Sequence, residues 1–121
     1  MDPNREPDFE RVQLERSLDR DHERLDSYID LLDDVLGDKI HDVECVDAAF
    51  IQLIDEVERH FHREEAWMRT IGYPGLDSHA EQHAMLLGSL EDFRRGFLAN
   101  PTRPNAFVIR TFIEEIGRAH V

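Results

Sequence analysis

Cysteine, positive charge and long apolar runs are all scarce in this sequence. Cys45 is the only cysteine, which excludes an intramolecular disulfide and favours a buried small residue at that position. No apolar run approaches the roughly 20 residues of a membrane span, and the N-terminus MDPNREPDFE lacks the apolar core of a signal peptide. The sequence therefore predicts a cytoplasmic protein.

Basic residues are outnumbered by acidic ones, with 14 Lys and Arg against 27 Asp and Glu and a formal net charge of -13. Such a surface repels phosphate groups, so the composition argues against a nucleic acid or an anionic membrane as a partner. The length of 121 residues suits one domain with a single core.

Glycine and proline are few, and they mark the boundaries of four predicted helices. Residues 1–16 are polar and aperiodic and are predicted to form an N-terminal arm. The first helix is expected to begin near Ser17 or Asp19 and to stop at Gly37; the others are expected over about Asp42–Ile71, from a cap at Asp77 or Ser78 to about Ala99, and from Pro104 or Asn105 onward. These elements predict an all-α, up-down-up-down antiparallel four-helix bundle over residues 17–121.

The stretch HFHREEAWMRTIGYPGLDSHAEQH, residues 60–83, places polar side chains where its two helices should be apolar. Apolar residues separated by alternately four and three positions begin at Val46, and this spacing continues through His60 and Glu64. The same spacing links His79 and His83 to the apolar residues that follow them in the next helix. An ionised carboxylate buried without a partner costs several kcal/mol. The pattern therefore predicts a cation among these side chains.

Two further histidines fall on the apolar stripes of the first and fourth helices. A single inward histidine is more often a hydrogen-bonded core residue, but six inward polar side chains are explained together by one metal centre. The predicted ligands are His22, His60, Glu64, His79, His83 and His120. By the same spacing His41 and His62 are predicted to be surface residues, and Glu65 is expected to be helix-surface charge.

Imidazole and carboxylate ligands suit iron, manganese or zinc, and the lack of thiolates argues against an iron–sulfur cluster. Six side chains are too many for one metal that keeps an open position, whereas Glu64 could bridge two metals. The composition of the site therefore favours a dinuclear iron centre, and a metal-free polar core is the structural alternative.

The motifs DRDHERL around His22, HFHREEAWM from His60, the turn GYP, HAEQH from His79 and the terminal FIEEIGRAHV resemble those of bacterial hemerythrins. The resemblance covers nearly the whole chain from Ser17 onward. It implies that His22 and His60 bind one iron, that His79, His83 and His120 bind the other, and that Glu64 bridges the two irons, with an oxo or hydroxo group as a further bridge.

The family also has a bridging aspartate five residues after its last histidine, a place that would be position 125 here, beyond the end of this sequence. Without it, more coordination positions are left to water or other ligands. In an alternative register Glu115 takes the place of the family's histidine and His120 that of its aspartate. The first register keeps His120 on a stripe with Ile109, Phe112 and Ile116 and is the preferred one.

The resemblance implies reversible binding of dioxygen at an open iron position, in a pocket walled by Trp67, Phe112 and Ile116. Side chains of these three types at such positions are more often ordinary core residues. Two other functions stay open. Extra open positions would suit an oxidase, a peroxidase or a nitric-oxide-handling enzyme, and an iron- or oxygen-sensing module or iron store would act through a separate redox or signalling partner.

Overall fold

Four α-helices follow one another along the chain in a computed structural model, which describes the backbone of residues 9–119 and the side chains of residue 16 and residues 19–116. The helices are α1 (Phe9–Asp38), α2 (Val43–Ile71), α3 (Leu76–Ala99) and α4 (Arg103–Ala119). Helix α1 packs on α2 and α4, and α3 packs on α2 and α4. Short connections and this closed order of contacts confirm the predicted four-helix bundle. None of these helices is both long enough and apolar enough to span a membrane.

The first helix begins earlier than predicted, at Phe9 instead of near Ser17 or Asp19. Part of the segment expected to be an arm is therefore helical. The physical reason lies in the sequence, since no proline or glycine occurs between Pro7 and Gly37, so nothing interrupts a helix once it has started.

Helix α2 has the predicted boundaries and both ends are capped. Asp42 accepts a hydrogen bond from the backbone N–H of Cys45 at 3.0 Å. At the other end Gly72 has a φ of 69°, and the N–H of Tyr73 reaches the carbonyl of Met68 at 2.9 Å. This is a Schellman ending, which requires a left-handed residue and therefore favours glycine at position 72.

The starts of α3 and α4 differ in detail from the sequence prediction. Helix α3 begins at Leu76, because the N–H of His79 already bonds the carbonyl of Gly75 at 3.0 Å, so Asp77 lies in the first turn and is not the cap. Helix α4 begins at Arg103, where Thr102 Oγ1 accepts from the N–H of Asn105 at 3.3 Å.

The apolar core runs the length of the bundle and leaves one end to polar side chains. On α4 the buried stripe is Ala106, Ile109, Ile113 and Ile116, so Ile113 takes the inner place that was expected for Phe112, which is only partly buried. The core residues of α2 include Val46, Phe50, Leu53 and Val57, as predicted. His60, three residues after Val57, continues that stripe as a fully buried polar residue.

Candidate metal centre

The carboxylate of Glu64 lies between histidines of two helices. Its Oε2 is 3.2 Å from His60 Nε2 on the same helix. Its Oε1 is 2.5 Å from His79 Nε2 and 3.2 Å from His83 Nε2, both on α3. Each oxygen of one carboxylate therefore faces a different set of imidazoles.

Two groups of side chains in this cluster have the spacing that a metal ion needs. One group is His22, His60 and Glu64, and the other is Glu64, His79 and His83. Within each group the ligand atoms lie within 4.8 Å of one another. Glu64 belongs to both, so the structure brings five of the six predicted ligands into two adjoining groups that share a carboxylate.

Helical spacing explains how three helices supply these side chains. His60 and Glu64 are one turn apart on α2, and His79 and His83 are one turn apart on α3, so each pair lies on one face of its helix. The rings of His79 and His83 are 4.3 Å apart. His22 comes from α1, and its ring lies 4.6 Å from that of His60.

The electrostatics of the cluster favour an ionised Glu64. Burial alone would raise the pKa of its carboxyl group, but the adjacent rings of His60, His83 and His79 outweigh burial and hold the pKa well below its ordinary value. Burial also opposes charge on His83, yet its bonds with Glu64 and Glu65 leave the His83 pKa raised. For His22, burial and the neighbouring His60 lower the pKa. These shifts keep a negative charge at the centre of the cluster.

The polar atoms of His60 show that a cation fits here. The side chain is completely buried, and neither ring nitrogen makes a hydrogen bond among the described residues. A buried imidazole with both nitrogens unsatisfied is costly in a hydrocarbon interior. Imidazole nitrogens beside a carboxylate are donors that suit divalent iron, zinc or manganese, so the residues present fit a metal ion.

Glu65 was expected on the surface, and that expectation is wrong. Its Oε2 lies 2.9 Å from His83 Nδ1, and its side chain is only 22% exposed. The inward face of α2 is wider at this level than a single stripe, so adjacent carboxylates both reach α3. Phe61, also between the stripe positions, is buried with its ring stacked on that of His83 at 3.7 Å.

Two buried acids near the cluster were not predicted. Asp21, 1% exposed, accepts a hydrogen bond from Arg63, and Glu56, 2% exposed, pairs with Arg24. A signal was present in the sequence, because Asp21 is four residues before Leu25 and Glu56 is four before His60, which are inward spacings. The spacing was outweighed by residue type, since acidic side chains on helices are usually solvated.

The remaining predicted residues are placed as follows. His120 lies outside the described residues. Glu115 is exposed, which disfavours the register in which it would be a ligand. His41 and His62 are exposed, as predicted.

The three side chains predicted to wall a pocket have different surroundings. Ile116 is buried, whereas Phe112 is partly buried with its ring 4.8 Å from that of Phe93. Trp67 is partly buried, and its Nε1 has no hydrogen-bond partner among the described residues. Their role as a ligand pocket stays a prediction.

Comparison with known families agrees with this architecture. The sequence-family model of the hemerythrin HHE cation-binding domain matches residues 14–120, and the chain therefore belongs to that family. A search of curated proteins and a search of solved structures gave no match. Family membership and the two adjoining groups together define a metal-binding four-helix bundle.

Proposed function

We propose that this chain is a non-haem di-iron protein that binds dioxygen reversibly. The observation that supports the proposal is the position of Glu64, whose two oxygens face two separate groups of histidines. A carboxylate shared in this way suits two metal ions held side by side in the core of a bundle. A single ion would leave one of the groups without a cation.

Iron is the metal that we propose, because the donors are imidazoles and carboxylates without thiolates, and iron would supply the dioxygen chemistry. His22 and His60 would hold one ion, and His79 and His83 would hold the other, with Glu64 between them. The buried stripe of α4 advances by threes and fours from Ala106 to Ile116, and the next step in the sequence is position 120. We therefore keep His120 as a proposed ligand of the second ion.

Each of the two groups contains one buried histidine and one partly buried histidine. His60 is completely buried, whereas the side chain of His79 is 29% exposed. A small ligand would therefore reach the cluster past the partly buried His22 or His79 and not past His60. Phe61 covers the inner side of His83 with its ring and limits water there.

Rapid mixing of the diferrous protein with dissolved dioxygen tests the proposed function. We expect an absorbing oxygenated species that forms quickly and returns to the colourless diferrous protein when the gas is removed. Rapid and irreversible oxidation with release of peroxide would contradict reversible binding and favour the oxidase or peroxidase alternative. The exposed His62 offers a matched control, because His62→Ala removes an imidazole from α2 outside the cluster and should leave the reaction unchanged.

A further inference from the structure

Asp21 is a buried carboxylate beside the metal centre that the proposed ligand set does not use. Its Oδ1 accepts a hydrogen bond from Arg63 Nη1 at 2.5 Å. Its Oδ2 is buried and has no hydrogen-bond partner among the described residues. An unpaired carboxylate oxygen in a dry interior is costly, so this atom calls for an explanation.

A candidate partner for this oxygen is the ring of His60. Asp21 Oδ2 lies 3.9 Å from His60 Nδ1, and that nitrogen is also buried without a hydrogen-bond partner among the residues described. The other ring nitrogen, Nε2, faces Glu64 Oε2 at 3.2 Å. The two edges of one imidazole therefore face two carboxylates, one in the proposed ligand set and one behind it.

His83 also lies between two carboxylates, and in its case the second carboxylate is within hydrogen-bond distance. Its Nδ1 lies 2.9 Å from Glu65 Oε2, while its Nε2 lies 3.2 Å from Glu64 Oε1. Histidines that bind metals commonly donate the other ring N–H to a carboxylate, which fixes the tautomer and the orientation of the ring. The two buried histidines of the cluster thus share one pattern, with Asp21 in the place that Glu65 occupies.

We propose that Asp21 is a positioning residue of the metal centre, whose Oδ2 accepts the Nδ1–H of His60 and so leaves His60 Nε2 for the metal. The inference rests on the proposed dinuclear site. The present separation of 3.9 Å exceeds a hydrogen bond by about 1 Å, so the proposal requires the two side chains to move closer when the metal binds. Arg63 holds the other oxygen of Asp21 and thereby keeps Oδ2 turned inward.

The chain contains a matched pair that lacks the histidine. Arg24, 50% exposed, lies over buried Glu56 just as Arg63, 43% exposed, lies over buried Asp21, and both pairs join α1 to α2. Within the described part of the chain, Glu56 pairs with Arg24 and not with a histidine. A purely structural role for Asp21 would make the two acids equivalent, whereas a positioning role distinguishes them in metal binding.

The test compares Asp21→Asn with Glu56→Gln in the full chain, by anaerobic titration with Fe²⁺ and by thermal unfolding without metal. Both variants should unfold at a lower temperature than the parent protein. Only Asp21→Asn should weaken one of the two binding steps, by roughly 10- to 100-fold. Equal metal affinities for the two variants would overturn the proposal for Asp21. A parent protein that fails to bind two ions would instead overturn the proposed function.

A second measurement covers the case in which Asp21→Asn does not fold. Nitrogen NMR of the Zn²⁺-loaded parent protein, with labelled histidine, reports which ring nitrogen of His60 carries a proton. We expect a proton on Nδ1 that exchanges slowly with water and a metal on Nε2. Zinc bound through Nδ1, or a His60 Nδ1 proton that exchanges freely, would contradict the positioning role.

Discussion

Glu65 accepts a hydrogen bond from His83 Nδ1 at 2.9 Å, on the ring edge opposite the nitrogen that faces Glu64. The bond joins α2 to α3 and fixes the ring of a buried histidine before any ion is bound. Orientation of a ligand in advance reduces the conformational freedom that metal binding would otherwise remove. We therefore expect Glu65 to contribute to metal affinity.

Glu65→Gln should weaken the binding of one of two metal ions by roughly 10- to 100-fold, because the amide is a poorer acceptor for the His83 ring than the carboxylate. Anaerobic titration with Fe²⁺ measures the change. Glu58→Gln is the matched control, since Glu58 is on the same helix but is 57% exposed and lies beside the exposed His62. Equal affinities for the two variants would show that the bond to His83 does not orient a ligand.

In the metal-free protein, Glu64 and His83 should make a pH-dependent contribution to the free energy of unfolding. The lowered pKa of Glu64 gives stability that is present above its ordinary value of 4.5 and is lost as pH falls through the folded-state value. The raised pKa of His83 gives stability that is fully present below 6.5 and is lost as pH rises through its folded-state value. Their mutual contribution should therefore be largest between these two ordinary values.

Denaturant unfolding of the parent protein and of Glu64→Gln, with a chelator present, tests this window. The difference in free energy of unfolding should be greatest between pH 4.5 and 6.5 and should narrow on both sides. His22 contributes with the opposite sign to His83, because burial and His60 lower its pKa, so the comparison is made between variants. A difference that stays constant across the pH range would contradict the account.

The helix ending at Gly72 gives a prediction about stability. Gly72→Ala should lower the free energy of unfolding by about 1 kcal/mol, because its φ of 69° strains any residue with a Cβ. Gly88 within α3 is the control. A Cβ there meets nothing within 4 Å, so Gly88→Ala should stabilise the helix by up to about 1 kcal/mol. Thermal or denaturant unfolding measures both, and two shifts of the same sign would contradict the argument.

The sequence was sufficient to predict the bundle and the inward direction of the histidine pairs, because apolar periodicity on α2 and α3 is long and regular. The ends at Asp42 and Gly72 were also predictable, since capping depends on local residue chemistry. The early start at Phe9 was not, because the first turns of α1 carry no clear apolar period.

The partners of the buried acids Asp21 and Glu56 are distant in the sequence. These pairs were therefore not predictable from local periodicity. Asp21 meets Arg63 across 42 positions, and Glu56 meets Arg24 across 32. Periodicity shows which side of a helix faces inward but does not show which arginine of another helix neutralises a buried acid. Glu65 illustrates the same limit, because its partner His83 belongs to the next helix.

The metal content per chain tests the central claim, that Glu64 is shared by two ions, most directly. The full protein is loaded anaerobically with Fe²⁺, freed of excess metal on a desalting column and assayed for iron and protein, together with Glu64→Gln and the control His62→Ala. The account predicts about two irons per chain for the parent protein and for His62→Ala, and fewer for Glu64→Gln, since two adjoining groups share that carboxylate. One iron or none in the parent protein, or two retained by Glu64→Gln with undiminished affinity, would contradict it.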